Sequence, residues 1–420
     1  MKNKKILSWA MYDWANSAFA TTIMAGFFPV FLKKYWGSGI DPIHTTAQLG
    51  TTLSLASFGI ALVSPFLGVL SDSRGSKKIF LFVSMLFGVA GCIALGALQE
   101  GQWVEALIIY GLSYMAFNAS CVFYDSLLPS IARGTEMDYA SSIGYSLGYL
   151  GGGLLFLLNV MWYLKPEWFG FSDGIMAVKA SFISVGIWWF IFTFPLMKNV
   201  PEPAQLLKNT QGLWKMTVDS VATLKATFKD LLKDKNILTF MVSYWLFIDG
   251  VYTVITMAVD FGIGLGLESK DLISALLITQ FIGFPCAWIF GLVTPKFGCR
   301  KPILFCIFVY SVAVILATGM SAAWHFYALA AVIGMVQGGV QSLSRSLFGN
   351  MVPAEKAGEY FAFFNLVGKF ASIFGPLLVA VTVLLTGDQR LGMMGLLVLF
   401  IVGGYLLFRV REPRHLVDGA

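Results

Sequence analysis

The chain has 420 residues, of which 57% are hydrophobic and only 12% are charged. A soluble protein usually carries about 25% charged residues, so this composition excludes an ordinary soluble domain. It indicates a chain that lies mostly in lipid. The net charge is +6, and its meaning depends on how the basic residues are distributed along the chain.

Apolar stretches recur from one end of the chain to the other. A membrane span takes roughly 20 apolar residues. We predict twelve spans, at approximately residues 7–33, 47–71, 79–99, 104–130, 140–163, 176–197, 236–263, 271–294, 302–321, 325–350, 359–386 and 391–409. The first resembles a signal peptide only superficially, because Asp13 interrupts its apolar region and the stretch continues to about Leu32.

Most of the 29 basic residues lie in segments that share one side of the membrane if the N-terminus is cytoplasmic. Lysine and arginine are retained on the cytoplasmic side, so this bias predicts that both termini are inside. The bias also explains the positive charge without a nucleic-acid partner.

The two halves of the chain repeat one turn between apolar segments. Residues 68–78 read GVLSDSRGSKK and residues 291–301 read GLVTPKFGCRK, which aligns Gly68 with Gly291 and Gly75 with Gly298. Two copies of one membrane unit are typical of transporters whose halves move about a shared site.

The longest connection runs from residue 199 to residue 235. Apolar groups at seven-residue spacing (Trp214, Val221 and Phe228) predict an amphipathic helix on the inner membrane surface. A regulatory partner site is the alternative. The predicted organisation is a six-helix half at 1–198, a cytoplasmic linker at 199–235 and a second six-helix half at 236–420.

The 68–78 turn resembles the loop between the second and third helices of the major facilitator superfamily. The stretches FYDSLLPSIA at 123–132, GYSLGYLGGG at 144–153 and QFIGFPCAWIFG at 280–291 resemble its "unknown major facilitator" branch, which is similar to the autophagy-related vacuolar amino-acid effluxers. This resemblance implies an all-α membrane protein with twelve helices in two pseudo-symmetric halves. It also implies solute transport, with amino acids as the suggested substrate class, by a monomer in a bacterial inner membrane.

Charged residues interrupt five of the predicted spans. A charge at the bilayer centre costs at least about 2.5–3.5 kcal/mol, so each is a functional candidate. The resemblance implies that spans one, four, seven and ten line the central cavity, and four of the five charges fall on them. The five are Asp13, Asp125, Asp249, Arg345 and Lys369.

The repeat pairs Asp13 with Asp249 and Asp125 with Arg345. Arg345 could bind a solute carboxylate, while Asp13 or Asp249 could bind an ammonium group or carry a coupling proton. Alternatively, Arg345 and Asp125 form a gating ion pair between the halves at the cytoplasmic side. Asp13 and Asp249 would then make hydrogen bonds between helices. Both interpretations stay open at this stage.

Uncharged polar residues lie one or two helical turns from these charges, on the same faces. They extend the candidate solute or proton site to Asn16, Tyr252, Gln337, Gln341 and Asn365, and the charged Lys369, one turn after Asn365, belongs to the same site. A conformational latch is predicted at the repeated turns, together with Asp125 and Arg345. Its members there are Gly68, Asp72, Arg74, Gly75, Gly291 and Gly298.

Glycines of the fifth predicted span, from Gly144 to Gly153, should face another helix, because small residues let helices approach closely. Tryptophans near predicted span ends are typical of an interfacial belt. These are Trp9, Trp36, Trp103, Trp162, Trp168 and Trp324.

No enzyme signature is present in the sequence. It contains no GxxxxGK[ST] motif for ATP, and its five cysteines and three histidines lack metal-ligand spacing, so neither cofactor nor metal is predicted. We predict a secondary transporter that moves a small polar solute, such as an amino acid or similar zwitterion, with a proton as the coupling ion. The alternatives are an exporter of amphipathic organic compounds or drugs, and a membrane receptor that does not transport.

Overall fold

Long apolar helices make up most of the chain, as expected where a backbone in lipid must satisfy its own hydrogen bonds. The computed structural model describes residues 2–40, 42–74, 76–202, 226–264, 269–320, 322–371, 374–386 and 389–412. Its principal helices are α1 (Lys2–Ala18), α2 (Pro42–Arg74), α3 (Lys77–Ala97), α4 (Trp103–Ile131), α5 (Thr135–Leu164), α6 (Gly174–Asn199), α7 (Lys235–Gly264), α8 (Ser269–Phe297), α9 (Arg300–Ala317), α10 (Ala323–Met351), α11 (Ala357–Phe370), α12 (Phe374–Thr386) and α13 (Leu397–Arg409).

Ten helical segments in the described part of the chain are long and apolar enough to cross a membrane. They coincide with the first ten predicted spans. The first runs from Lys4 to Trp36 and includes π-helical turns at Phe19–Phe27 and Leu32–Trp36. The predicted eleventh span is divided between α11 and α12, and the predicted twelfth falls on the shorter apolar helix at Met393–Arg409.

Each half of the chain builds its own apolar core. In the first half, Trp189 and Phe182 of α6 pack with residues of α1 and α3, and in the second half Phe400 of α13 packs with Tyr310 of α9. Large apolar side chains such as Phe58 and Phe308 point outward instead. Outward apolar residues suit contact with lipid, as expected for membrane helices.

The helix ends form two opposite faces, and the face where the linker 199–235 begins and ends is called the linker face here. It carries the start of α1, where the Asn199 amide donates to Ser8 Oγ (3.0 Å). It also carries the turn before α5, where Gly134 N–H donates to Asn350 Oδ1 (2.9 Å) of the other half. Gly134 has a φ of 57°, a conformation that favours glycine. The two halves are therefore in contact at the linker face.

A short motif after the last helix of each half secures the turn that precedes its third helix. The sequence reads VPEP at 200–203 and VREP at 410–413. Glu202 accepts the Lys78 N–H (2.7 Å), and Glu412 accepts the Arg300 N–H. A carboxylate at a helix N-terminus satisfies free N–H groups and matches the helix dipole. This repeat was not part of the sequence prediction.

The predicted linker helix lies partly outside the described residues, which resume at 226. Residues 226–233 are helical. Thr227 donates to Glu359 of α11, and Leu231 is buried against the second core, while Phe228 stays half exposed beside Phe363. This part of the linker therefore contacts protein at the linker face.

Candidate functional site

A buried arginine joins the two halves of the molecule. Arg345 of α10 places Nη2 at 3.2 Å from Asp13 Oδ2 of α1, and Nη1 at 3.1 Å from Asp125 Oδ1 of α4. Its Nε donates to Ser141 Oγ (2.9 Å) and Nη2 donates to the Ser141 carbonyl (3.0 Å) on α5. Three helices of the first half therefore bind one guanidinium of the second.

The carboxylates are held by further donors. Tyr124 donates its hydroxyl to Asp13 Oδ2 (2.8 Å), and Asn365 of α11 donates to Asp125 Oδ2 (3.2 Å). We call this set the central cluster; it comprises Asp13, Tyr124, Asp125, Ser141, Arg345 and Asn365. With both acids ionised, it holds two negative charges and one positive charge.

Aromatic rings surround the guanidinium. The Arg345 Cζ lies 4.4 Å from the Tyr145 ring centroid and 4.9 Å from that of Trp9. Trp9 stacks on Tyr124 with 4.2 Å between centroids and donates its Nε1–H to the Tyr124 carbonyl. Cation–π contact of this kind stabilises a desolvated cation. Only 3% of the Arg345 surface is exposed, so the guanidinium is closed to solvent.

Close approach of α5 makes this geometry possible. A Cβ added at Gly144 would lie 2.5 Å from Asp13 Oδ2 and 3.0 Å from Arg345 Nη2. Other glycines of the run, such as Gly148 and Gly151, pack against α1, and Gly153 packs against Gln280 of α8. The prediction that these glycines face another helix is confirmed.

The central cluster lies closer to the linker face than to the middle of the helices. Arg345 precedes the end of α10 at Met351 by six residues, or about 9 Å of helix. Asp125 precedes the end of α4 at Ile131 by the same number. The predicted pair of Arg345 with Asp125 is therefore present, and Asp13, predicted with a solute or proton role, joins it.

Asp249 has different partners from its repeat counterpart Asp13. It accepts the backbone N–H of Phe374 (3.1 Å) and of Gly375 (3.0 Å), at the start of α12, and Thr253 donates to it at 3.4 Å. These are the contacts of a helix N-cap supplied by another helix. Asp249 therefore supports the divided eleventh span within its own half.

The remaining polar candidates lie outside the central cluster as defined above. Asn16 is buried, and its amide contacts Cys121 Sγ at 3.8 Å. Gln341 and Gln337 are partly buried on α10, one and two turns before Arg345 respectively, on the side away from the linker face. Tyr252 packs on the second core. The Lys369 side chain lies outside the described residues.

The structure describes only some of the residues predicted to form the conformational latch. Gly68 of α2 lies against α11, where an added Cβ would be 2.5 Å from the Gly358 carbonyl, and its counterpart Gly291 of α8 lies against Ser142 of α5. Both members of the pair therefore mark contacts between the halves. Gly298 has a φ of 70° beside Glu412. Gly75 and the side chains of Asp72 and Arg74 lie outside the described residues.

The interfacial-belt prediction is wrong for two tryptophans. Trp9 and Trp36 are fully buried, because Trp9 forms a wall of the central cluster and Trp36 packs on Phe182. Trp168 and Trp324 are largely exposed, as an interfacial position requires.

Sequence reasoning missed a second contact between the halves, nearer the linker face. Asp138 of α5 is fully buried and accepts hydrogen bonds from Ser346 and from Cys299 Sγ (3.2 Å) of the second half. The Asn350 amide approaches the same oxygen at 3.5 Å. We call these four residues the Asp138 cluster. Hydroxyl and acidic residues at helical spacing on α5 (Asp138, Ser141, Ser142) were the available signal.

Two groups of helices, each with its own apolar core, are joined by buried polar contacts, and this arrangement is the fold of the major facilitator superfamily. Two solved structures share the fold. The human organic anion transporter MFSD10 has a TM-score of 0.73 at 13% identity, covering 97% of this chain and 99% of that one. The proton:xylose symporter XylE has a TM-score of 0.72 at 13% identity, covering 98% and 95%.

The chain belongs to the "Vacuole effluxer Atg22 like" family, whose model matches residues 1–420. A relative from Bacillus subtilis, the uncharacterized MFS-type transporter YxiO, is 33% identical over 96% of this chain and 94% of its own length. Autophagy-related protein 22 of Yarrowia lipolytica is 27% identical over 92% of this chain and 79% of its own. The protein is a multi-pass membrane transporter of small molecules and not an enzyme.

Proposed function

We propose that this transporter moves an amino acid or similar zwitterion by alternating access, and that the central cluster is its gate at the cytoplasmic side. The observation that supports the gate is the pair of ion pairs that Arg345 of one half makes with Asp13 and Asp125 of the other. The linker face is the cytoplasmic face in this proposal, in agreement with the bias of basic residues. The Bacillus relative supports a bacterial cytoplasmic membrane as the location.

Gating accounts for the use of the guanidinium better than direct solute binding does. Arg345 already donates to two carboxylates and to both oxygens of Ser141. A solute carboxylate can reach it only when these bonds open. Breaking them uncovers two acids and one base together, which suits a solute that carries both charges. Coupling to a proton through Asp13 or Asp249 completes the proposal, with a monomer as the working unit.

Counterflow in proteoliposomes tests the transport proposal. Vesicles loaded with one unlabelled amino acid at a time should accumulate the labelled compound transiently, and Arg345→Gln should abolish this exchange. Lys356→Gln, which changes an exposed cation at the linker face, serves as the control and should exchange normally. Exchange of bulky organic cations alone would contradict the zwitterion proposal and favour a drug exporter.

Binding is measured separately on the purified protein. A solute present at about 100 times its dissociation constant adds roughly 2.7 kcal/mol of stability, which a thermal shift detects. A shift without any exchange would contradict transport and favour a receptor.

A further inference from the structure

The Asp138 carboxyl stands in an environment that suits a neutral group. It is fully buried, and all its described donors are uncharged: the Ser346 hydroxyl, the Cys299 thiol and the Asn350 amide. All three donate to Oδ1, while Oδ2 has no hydrogen-bond partner among the residues that the structure describes. In the described part of the chain, no Lys, Arg or His side chain lies within 4.0 Å of it. A buried carboxylate without a cation is strongly disfavoured, whereas the protonated acid is not.

The charged groups near Asp138 do not supply the missing cation. Glu412, which follows α13, adds a negative charge on the same side. Arg345 belongs to the neighbouring turn of α10, but its guanidinium is bonded to Asp13 and Asp125. Burial raises the pKa of the Cys299 thiol well above its ordinary value, so Cys299 remains a neutral S–H donor. Arg133 and Glu136, near the start of α5, are both exposed to solvent.

The donors to Asp138 come from the opposite half of the molecule, so its surroundings depend on whether the halves are closed. Asp138 lies on α5, whereas Ser346 and Asn350 lie on α10 and Cys299 lies in the turn before α9. Separation of the halves at the linker face removes all three donors and admits water. Water stabilises the ionised carboxylate, so opening favours loss of the proton.

We propose that Asp138 is a proton-binding site of this transporter, which holds a proton while the linker face is closed and releases it when that face opens. This proposal rests on the alternating-access part of the proposed function and not on the identity of the solute. The sign follows from linkage, because the closed state binds one proton more than the open state. Raising the pH therefore favours opening, by up to about tenfold in the open-to-closed ratio per pH unit.

Distance measurements by double electron–electron resonance (DEER) between two spin labels test the proposal without a solute. Spin labels at Arg133→Cys and Glu355→Cys report the separation of the halves at the linker face, since both positions are exposed and lie on opposite halves. The five native cysteines are replaced by serine, so position 299 keeps a hydrogen-bond donor. On raising the pH, the spin-labelled protein that retains Asp138 should shift from the short to the long distance between the labels.

Asp138→Asn imitates the protonated acid and should hold the short distance at every pH. If the asparagine variant does not fold, Asp138→Ser, which is also neutral, replaces it. Glu136→Gln, which changes an exposed acid on the same helix turn, is the matched control and should keep the pH response.

Three outcomes would overturn the proposal. They are a distance in the unmodified protein that ignores pH, an Asp138→Asn variant that keeps the full pH response, and an Asp138→Asn variant that is open at every pH. The last would mean that the closed state needs the ionised carboxylate. A failure of zwitterion exchange would leave these results unchanged, so the two proposals fail separately.

Discussion

Asp13 and Asp249 occupy matching positions in the two halves but have different surroundings. Asp13 meets Arg345 of the opposite half and the Tyr124 hydroxyl of its own. Among the described residues, the hydrogen-bond donors to Asp249 are the backbone N–H groups of Phe374 and Gly375 and the Thr253 hydroxyl, all within its own half. One repeat position therefore supplies a contact between the halves in one copy and a helix cap in the other.

The difference shows that the repeat in the sequence does not extend to the charged and polar partners of the two aspartates. The cross-half contact at Asp13 must break whenever the halves separate at the linker face, while the cap at Asp249 can persist through the whole cycle. Changes near Asp13 should thus alter the equilibrium between conformations, and changes near Asp249 should alter the stability of the second half.

Removal of the guanidinium should give the largest effect. Arg345→Ala leaves the buried Asp125 and the partly buried Asp13 without a cation, and removing one partner of a buried ion pair typically costs about 3–5 kcal/mol. We expect a large fall in the thermal unfolding temperature of the purified protein. Hydrogen exchange should increase in α1, α4 and α5 and stay unchanged at the start of α12, which Asp249 caps.

A charge-balanced variant separates charge from packing at this site. Arg345→Gln combined with Asp13→Asn and Asp125→Asn removes the unpaired charges, so it should recover most of the stability that Arg345→Ala loses. A triple variant as unstable as Arg345→Ala would show that shape rather than charge dominates the central cluster.

The close approach of α5 to Asp13 gives the next effect. Gly144→Ala places a methyl group 2.5 Å from Asp13 Oδ2, and overpacking of this kind costs about 1–3 kcal/mol. Gly404→Ala is the matched control, because its added Cβ would lie 3.6 Å from Ile307 and alanine favours helix. Equal unfolding temperatures for the two variants would contradict the tight contact at Gly144.

Much of the fold follows from the sequence, because span length and the repeated turn are properties of local composition. The same repeat correctly linked Gly68 with Gly291, and helix position correctly suggested the Arg345–Asp125 pair. The sequence could not show that Asp13 turns to Arg345 while Asp249 turns to α12, since partner choice depends on how helices rotate and where a span is divided.

The buried positions of Trp9 and Asp138 were the harder part of the candidate site to predict from the sequence. Trp9 resembles an interfacial tryptophan in sequence, yet its ring covers Arg345 in the structure. Asp138 stands in the first turn of α5, where an acid is ordinary on any helix. Only the three-dimensional contact with Ser346 and Cys299 distinguishes it from an exposed capping residue.

Loss of the Asp249 cap should cost less than the changes at the central cluster. Asp249→Ala leaves two N–H groups of α12 without their acceptor, for which about 0.5–2 kcal/mol is typical. Hydrogen exchange at residues 374–375 should accelerate.

Asp249→Asn keeps a capping oxygen, so stability and solute exchange should survive. If Asp249 also carries the coupling proton, transport driven by a pH gradient should fall in this variant. Loss of exchange and binding in Asp249→Asn would identify Asp249 as a solute ligand.

The most direct comparison of the two sites removes one hydroxyl group beside each aspartate. Tyr124→Phe removes the 2.8 Å hydrogen bond to Asp13, whereas Thr253→Val removes the longer 3.4 Å contact to Asp249. A hydrogen bond to a charged group contributes about 1.5–3 kcal/mol at good geometry, so Tyr124→Phe should lower the unfolding temperature more. Tyr124→Phe should also weaken closure of the linker face, measured by the same spin-label pair, because Asp13 bridges the halves. Thr253→Val should leave that distance unchanged, since the described hydrogen-bond partners of Asp249 lie in its own half. An equal change in both variants would contradict the division of roles between the two aspartates.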